Sequence, residues 1–235
     1  KTLAAEMPTH TPCYFDCTTK DLGDITIPNV VNLTDSLTDS FVRYVTNEEL
    51  GAHLGKPIIL MIDEYGKANP AVKNALLRLM LERKMGSYEL HPDSIVFATT
   101  NLGAEGVGDL LPAHARNRLT IITTRKPTNV EWIEDFAINH GIDHTMIAWV
   151  QDNPQLFSTF EDIKDPQDNK FIFHPAEPSR VSFVTPRSLE KASNWLKVRE
   201  RISEKSLMAA LIGTIGTEGA ANLNAFVRVA DQLPS

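Results

Sequence analysis

The chain has 235 residues, of which 42% are apolar and 23% are charged, and its formal net charge is −7 at pH 7. This composition is typical of a globular protein and excludes a disordered or fibrous chain. The negative charge gives no general attraction to nucleic acid or to an anionic membrane, so neither is an expected partner. No apolar run has the length of a membrane span. The two cysteines, Cys13 and Cys17, fit alternate positions of a buried strand in a reducing, cytoplasmic setting.

The first half of the chain carries the signals of several strands. After the short helical run "KTLAAEM" comes the apolar segment "CYFDC", and an aromatic and β-branched segment follows at residues 41–45. Three further apolar segments lie at residues 58–62, 94–100 and 119–124. None of these three alternates strictly between apolar and polar residues, so we expect both faces to be covered, as in a parallel sheet with helices on each side.

A helix is predicted directly after the strand at residues 58–62. Asn69 is suited to the N-cap and Pro70 to the first helical position, where the missing N–H costs nothing. Gly86 suits the C-terminal end of the helix. Apolar residues recur at helical spacing between them, at Val72, Ala75, Leu76, Leu79 and Met80. Strand, acidic turn, helix and strand form a βαβ unit.

The pattern changes to helices near residue 126. Thr128 and Glu131 have the spacing of a capping box, and Thr185 can cap a helix that begins with Pro186 and Arg187. Two more amphipathic helices are predicted in "EKSLMAALIGTIG" and "AANLNAFVRVADQLP". We therefore expect an α/β domain at residues 1–126 and an all-helical domain at residues 127–235.

Polar residues gather where the predicted strands end. Asp63 and Glu64 follow one strand, and Thr99, Thr100 and Asn101 end the next. Ligands of open α/β sheets bind beyond the carboxyl ends of the strands, so these residues are expected at a common site. An aspartate there can hold a phosphate-bound Mg²⁺, and the next carboxylate can orient or deprotonate a water molecule. The alternative without a function is that Asp63 and Glu64 lie in a solvated turn between strand and helix.

The ordered set "IILMIDEYGKANPAVKNALLRLMLERKMG", "IVFATTN" and "LPAHARNRL" resembles the Walker B, sensor 1 and arginine-finger regions of an AAA+ ATPase. The resemblance is to the MoxR and dynein-related branch and runs from Lys1 to at least Ala192. It implies a P-loop NTPase core with a C-terminal helical lid. By the same resemblance, Asp63 is the Walker B magnesium ligand, Glu64 the catalytic glutamate and Asn101 the sensor 1 residue.

Three arginines receive roles from the same resemblance. In "ARNRL" the arginine finger is Arg118, with Arg116 as the alternate. The segment "TPRSLEKA" is similar to sensor 2, which makes Arg187 the lid arginine that touches the γ-phosphate. Taken singly, an arginine is more often a solvated or salt-bridged surface residue.

The first two residues fit the end of a P-loop. Such a loop closes with Gly-Lys-Ser/Thr at the start of a helix, with the lysine on the β- and γ-phosphates and the Ser/Thr on Mg²⁺. Lys1 and Thr2 match that ending, and we expect the glycine loop and a first strand to lie upstream of them. A frayed terminus that happens to read Lys-Thr is the alternative.

The resemblance implies an ATPase that binds ATP and Mg²⁺ in a homo-oligomeric ring, a hexamer, and remodels or assembles a protein partner. In that branch the partner often carries a von Willebrand factor A domain. The segment "DITIPNVVNLTDSLTDSFVRYV" corresponds to an inserted hairpin that faces the ring pore or the substrate. Two alternatives stay open: a DNA-directed or GTP-using motor of the McrB type, and a nucleotide-dead assembly module.

Overall fold

A computed structural model describes residues 5–32, 40–101 and 116–230 of the chain. The chain divides into two compact units, Lys1–Ile122 and Thr123–Ser235. The first unit mixes strands and helices, and the described part of the second is helical, which confirms the predicted α/β class followed by a helical region. Within the described ranges no helix has both the length and the apolar character needed to cross a bilayer.

The strands and the main helix of the first unit follow one another along the chain. They are β1 (Thr11–Asp16), β2 (Thr26–Asn32), β3 (Ser40–Thr46), β4 (Ile58–Asp63), helix α1 (Pro70–Glu82), β5 (Lys84–Met85), β6 (Tyr88–Glu89) and β7 (Ile95–Ala98). Short 3₁₀ turns join them at Cys17–Thr19, Leu22–Asp24, Glu48–Leu50, Ala52–Leu54 and Tyr65–Lys67.

A three-stranded parallel sheet forms the centre of this unit, in the order β1-β4-β7. One face of the middle strand is wholly inaccessible to solvent, at Ile58, Leu60 and Ile62. The other face is covered less completely, with Ile59 buried and Met61 partly buried, so the continuous apolar sequence predicted a strand that is covered on both sides. The register sets Asp16 beside Asp63, so β1 and β4 end at the same edge of the sheet. Because the strands are parallel, the chain segments that follow them begin at one common edge.

Helix α1 begins where the sequence predicted and ends earlier. The Asn69 side chain accepts a hydrogen bond from the Val72 amide at 3.0 Å, and Pro70 occupies the first position. The prediction that Gly86 ends the helix was wrong. Arg83 ends it in the left-handed conformation, with φ 62°, while Gly86 lies at φ 58° in the turn between β5 and β6. A side chain at residue 86 would meet the Tyr44 carbonyl oxygen at 2.6 Å, so this glycine serves the turn.

Residues 119–124 do not form the predicted strand. The structure gives them no regular hydrogen bonding, and Ile121 and Ile122 are 52% and 81% exposed. A β-branched apolar run becomes a strand only when a neighbouring strand supplies partners for its backbone groups. No described strand pairs with this segment, which is why propensity alone gave the wrong prediction.

A two-stranded antiparallel hairpin, β2 and β3, interrupts the chain between β1 and β4. The hairpin that the resemblance implied is therefore present. Its base is closed by two hydrogen bonds, from the Asn47 amide to the Ile25 carbonyl at 3.0 Å and from the Asn47 side chain to the Asp24 carbonyl at 2.7 Å. Apolar side chains stay exposed along it, namely Ile27, Val30, Phe41, Val42, Tyr44 and Val45.

Only one of the two cysteines lies in the strand that the sequence predicted for both. Cys13 lies in β1 and is partly buried, whereas Cys17 lies in the 3₁₀ turn that follows the strand and is 2% exposed. Both are free thiols. The strand ends one residue before Cys17 because Asp16 turns the chain, accepting a hydrogen bond from the Thr18 amide at 2.9 Å.

The described part of the second unit is a helical bundle around one apolar core. Its helices are α2 (Asn129–Glu131), which continues as a π-helix over Trp132–Ala137, α3 (His144–Asp152), α4 (Pro186–Leu196) and α5 (Glu204–Ala230). Short 3₁₀ turns lie at Pro154–Phe157, Phe160–Asp162 and Arg199–Arg201. The predicted capping box of Thr128 and Glu131 is confirmed. Helix α5 contains Gly216 at φ 78°, which separates the two helices that the sequence predicted.

Candidate functional site

The acidic pair lies in a tight turn at the carboxyl end of β4. Glu64 has φ 53° and ψ 38°, a left-handed conformation that costs a non-glycine residue about 1–2 kcal/mol. The turn is tied to the neighbouring strand by two backbone hydrogen bonds of 2.9 Å, from the Thr99 amide to the Ile62 carbonyl and from the Tyr65 amide to the Thr99 carbonyl. Strained backbone that the surrounding structure holds in place is common at functional sites.

Gly66 is the residue that lets this turn approach the end of β7. A Cβ atom built at residue 66 would overlap the Thr100 hydroxyl group. The side chain of Thr100 therefore fills the space that any other residue at position 66 would need. The close approach keeps Asp63 and Glu64 beside the Thr99–Asn101 segment.

Both oxygens of the Asp63 carboxylate accept hydrogen bonds. Oδ1 accepts a short hydrogen bond from the Thr99 hydroxyl group and another from the Glu64 amide at 3.1 Å. Oδ2 accepts a hydrogen bond from the Tyr14 hydroxyl group at 2.8 Å. Donors from β1 and from the end of β7 thus hold the carboxylate that ends β4.

The surrounding carboxylates change the acidity of two neighbouring groups. The hydrogen bond to Asp63 is the largest cause that raises the pKa of Tyr14 to about 12, and burial and the charges of Asp63, Asp16 and Glu64 act in the same direction. Burial first, and then the charges of Asp16 and Asp63, raise the pKa of Cys17 to about 11. At neutral pH the phenol therefore remains a hydrogen-bond donor, and the thiol is not a thiolate nucleophile.

Glu64 is paired with a lysine of its own turn. The Lys67 Nζ atom lies 3.0 Å from Glu64 Oε1, and both side chains are about one-third exposed, at 32% and 29%. An ion pair with this much solvent contact contributes little to stability. It does fix the direction of the carboxylate, which stays accessible to water.

The other predicted site residues of the first unit lie at or near its surface. Asn101 comes directly after the Thr99–Thr100 pair at the edge of the sheet and is exposed. Arg116 and Arg118 are exposed residues in a short turn that precedes residue 120. Lys1 and Thr2, the predicted end of a P-loop, lie outside the described residues.

Arg187 lies in the second unit, at the second position of α4. The helix is capped by Thr185, whose side chain accepts a hydrogen bond from the Ser188 amide at 3.0 Å. Arg187 and Lys191 line a cavity of about 770 Å³ together with Phe183 and Trp195. No described acidic side chain lines this cavity, so its electrostatic character favours an anion.

The edge of the sheet fits a magnesium ion that arrives with a phosphate. Mg²⁺ is usually held by one or two carboxylates together with substrate phosphates and water, and Asp63 offers one such carboxylate. Over residues 5–32, 40–101 and 116–230 no group of three or more His, Cys, Asp or Glu side chains is arranged to bind a metal by itself. The donor set therefore suits a shared metal and not a closed protein site.

Sequence reasoning identified the acidic pair and missed three side chains that lie around it. Tyr14, Asp16 and Lys67 were not expected at the site. Asp16 had a signal, because it ends a predicted strand as Asp63 does, and parallel strands end at one edge. No sequence signal indicated the contact of Tyr14 with Asp63, because that contact depends on the register of β1 against β4.

No protein-family model matches this chain. No curated protein matches it either. Among solved structures, a RuvB mutant from Thermotoga maritima is 17% identical, with a TM-score of 0.42, and the match covers 97% of this chain and 55% of that one. NtrX from Brucella abortus is 16% identical, with a TM-score of 0.34, and the match covers 97% of this chain and 59% of that one. NtrX in complex with ADP is 14% identical, with a TM-score of 0.34, 95% coverage of this chain and 58% of that one. The chain thus spans less than two-thirds of the structures it matches, and similarities this distant carry no argument about its fold or function.

Proposed function

We propose that this chain is the core and lid of an AAA+ ATPase of the MoxR and dynein-related branch, with the core at residues 1–126 and the lid at 127–235. The observation that carries the proposal is the pair of consecutive carboxylates, Asp63 and Glu64, at the carboxyl end of the central parallel strand. Ligands of open α/β sheets bind at this edge. The Thr99 hydroxyl group contacts both residues of the pair, and the Thr99 backbone bonds to the residues on either side of it, Ile62 and Tyr65.

Asp63 is the proposed Walker B residue. When bound with ATP, Mg²⁺ supplies positive charge that neutralises the phosphate oxygens. Asp63 would hold water molecules of that ion through its carboxylate, which the Thr99 hydroxyl group and the Glu64 amide keep oriented. Lys1 and Thr2 are the proposed contacts of the β- and γ-phosphates and of Mg²⁺.

Glu64 is the proposed general base. Its carboxylate is partly exposed at the edge where a water molecule could attack a phosphate, and it would accept a proton from that water. General-base assistance of this kind contributes roughly 10²- to 10⁴-fold to a rate. Asn101, exposed at the same edge, is the proposed sensor 1 residue that hydrogen-bonds the water and a γ-phosphate oxygen.

The arginines are proposed to complete the site when subunits assemble into a homo-oligomeric ring, a hexamer. Arg118, with Arg116 as the alternate, would reach the nucleotide of a neighbouring subunit. Both guanidinium groups are exposed, as such a role requires. An arginine supplied in trans accelerates phosphoryl transfer by about 10³- to 10⁵-fold. Arg187 would contact the γ-phosphate from the lid.

The proposed role of the ATPase is to remodel or assemble a protein partner in the cytoplasm, a partner that in this branch often has a von Willebrand factor A domain. The exposed apolar side chains of β2 and β3 support a role for the hairpin in contacting that partner. The net charge of −7 argues against nucleic acid as the substrate.

ATP hydrolysis by the purified protein and its Glu64→Gln variant tests this proposal. The variant should bind ATP and lose turnover by about 10²-fold or more, because it keeps the shape and lacks the base. Glu82→Gln is the matched control, since Glu82 forms only an exposed ion pair with Arg78 on α1. Unchanged turnover in Glu64→Gln would remove Glu64 from catalysis.

Three further measurements separate the alternatives. Turnover per subunit that rises with protein concentration would support an arginine finger in trans. A preference for GTP together with salt-sensitive DNA binding would favour a McrB-type motor. A protein that assembles and binds no nucleotide would be the assembly module.

A further inference from the structure

We propose that, when no metal is bound, the Tyr14 hydroxyl group takes the hydrogen-bonding position on the Asp63 carboxylate that a magnesium-bound water would otherwise take. Because the two donors compete, Tyr14 lowers the affinity of the site for the metal. This inference rests on the proposed function of Asp63. It assigns a role to a residue for which the AAA+ resemblance supplies none.

Tyr14 is one of three groups that donate hydrogen bonds to the Asp63 carboxylate, and it differs from the other two in the oxygen that it reaches. Oδ1 of Asp63 already accepts hydrogen bonds from the Thr99 hydroxyl group and from the Glu64 amide, which fix the plane of the group from the side of β7 and from its own backbone. Tyr14 donates to the other oxygen, Oδ2, at 2.8 Å. Oδ2 is bonded from the half-exposed side chain of Tyr14, and it is the oxygen at which we place the metal-bound water.

The position of Tyr14 allows its hydroxyl group to leave. The residue lies on β1, which has β4 as its only neighbour among the described strands, and its side chain is 52% exposed. A half-exposed aromatic ring at the margin of a sheet can change rotamer without opening the core. The hydrogen bond can thus be exchanged for one from a metal-bound water.

The charges at this edge explain why a donor is useful when no metal is present. The register sets Asp16 beside Asp63, and Glu64 follows directly in the chain. Lys67 pairs with Glu64, but Asp16 and Asp63 carry like charges on neighbouring strands, and a donor on Oδ2 offsets part of their repulsion. Water molecules bound to Mg²⁺ would donate to the same oxygen. A contact that stabilises the ligand-free form opposes binding of the ligand by the same free energy.

Tyr14→Phe removes the hydroxyl group and keeps the ring, and Tyr44→Phe makes the same change on the exposed hairpin as a control. The probe is Mn²⁺, followed by electron paramagnetic resonance in the presence of a non-hydrolysable ATP analogue. We expect the dissociation constant for Mn²⁺ to fall by about three- to tenfold in Tyr14→Phe, the net size of one ordinary hydrogen bond. Without metal, the same variant should unfold at a lower temperature than the wild type. Tyr44→Phe should change neither quantity.

Weaker Mn²⁺ binding in Tyr14→Phe would overturn the inference and make Tyr14 a support of the metal. Unchanged binding would overturn it as well. The proposed function can fail separately: a wild type that binds Mn²⁺ neither alone nor with nucleotide, or an Asp63→Asn variant that binds it normally, would remove Asp63 from the metal site. The inference would then fall with it.

Discussion

Thr99 donates its hydroxyl proton to Oδ1 of Asp63 and accepts a hydrogen bond from the Glu64 amide at 3.3 Å, so one side chain of the neighbouring segment contacts both acidic residues. Thr99→Val keeps the volume and removes both hydrogen bonds. We expect turnover to fall by about tenfold, because the carboxylate loses its main anchor, and stability to fall by about 1–3 kcal/mol. Steady-state ATPase kinetics and urea unfolding measure the two effects. Full turnover in this variant would mean that Asp63 is positioned well enough without the Thr99 hydroxyl group, by donors such as the Glu64 amide and the Tyr14 hydroxyl group.

The same substitution should have the opposite effect on stability at Thr46. The Thr46 hydroxyl oxygen is buried and has no hydrogen-bond partner among the residues that the structure describes. Thr46→Val replaces an unsatisfied polar group with a methyl group of similar size, so we expect a gain of about 1 kcal/mol in the free energy of unfolding. Urea unfolding of the pair Thr46→Val and Thr99→Val should show opposite signs. A loss of stability at Thr46 would indicate that an ordered water satisfies its hydroxyl group.

Gly66→Ala should disrupt the turn after the acidic pair. The added methyl group overlaps the Thr100 hydroxyl group, so either the Thr100 side chain or the turn must shift. We expect a loss of about 1–3 kcal/mol in stability and a marked loss of ATPase activity. Gly23→Ala is the matched control, because a Cβ atom at Gly23 meets nothing within 4 Å. Equal stabilities for the two variants would show that the turn tolerates a side chain.

The second unit should lose stability in acid through Glu131. Its hydrogen bond with Arg125 first, and then that with the Thr128 amide, lower the pKa of Glu131 from 4.5 to about 2. The folded state then binds fewer protons than the unfolded state in this interval. The contribution is therefore fully present above about pH 4.5 and is lost as the pH falls towards 2. Thermal unfolding of wild type and Glu131→Gln between pH 7 and pH 2 measures it: the difference between their midpoints should shrink as the pH falls. A constant difference would contradict the assigned cause.

Local patterns predicted the elements that depend on local chemistry. Three features depend only on residues close together in the sequence, and the structure contains each of them: the apolar run of β4, the Asn69 cap and the Thr128 capping box. The strand expected at residues 119–124 failed because a strand needs a partner elsewhere in the chain. The end of α1 was also misjudged, since Arg83 adopts a conformation that sequence assigns to glycine.

The candidate site divides in the same way. Asp63 and Glu64 were predicted because they follow a buried strand. The hydrogen bond of Tyr14 spans 49 residues, and that of Thr99 spans 36, so both depend on strand order and register. A single sequence shows which groups reach the edge of the sheet and leaves open which of them touch.

The hydrogen bonds of Asn47 at the base of the hairpin give the first unit a modular character. They join the two ends of the hairpin segment, which lies between β1 and β4, before the chain continues into β4. Lengthening a closed loop costs only about 0.6 kcal/mol per doubling, so the hairpin can be exchanged or extended at little energetic cost. The hairpin surface can therefore change in sequence and length while the carboxylates at the sheet edge keep their geometry.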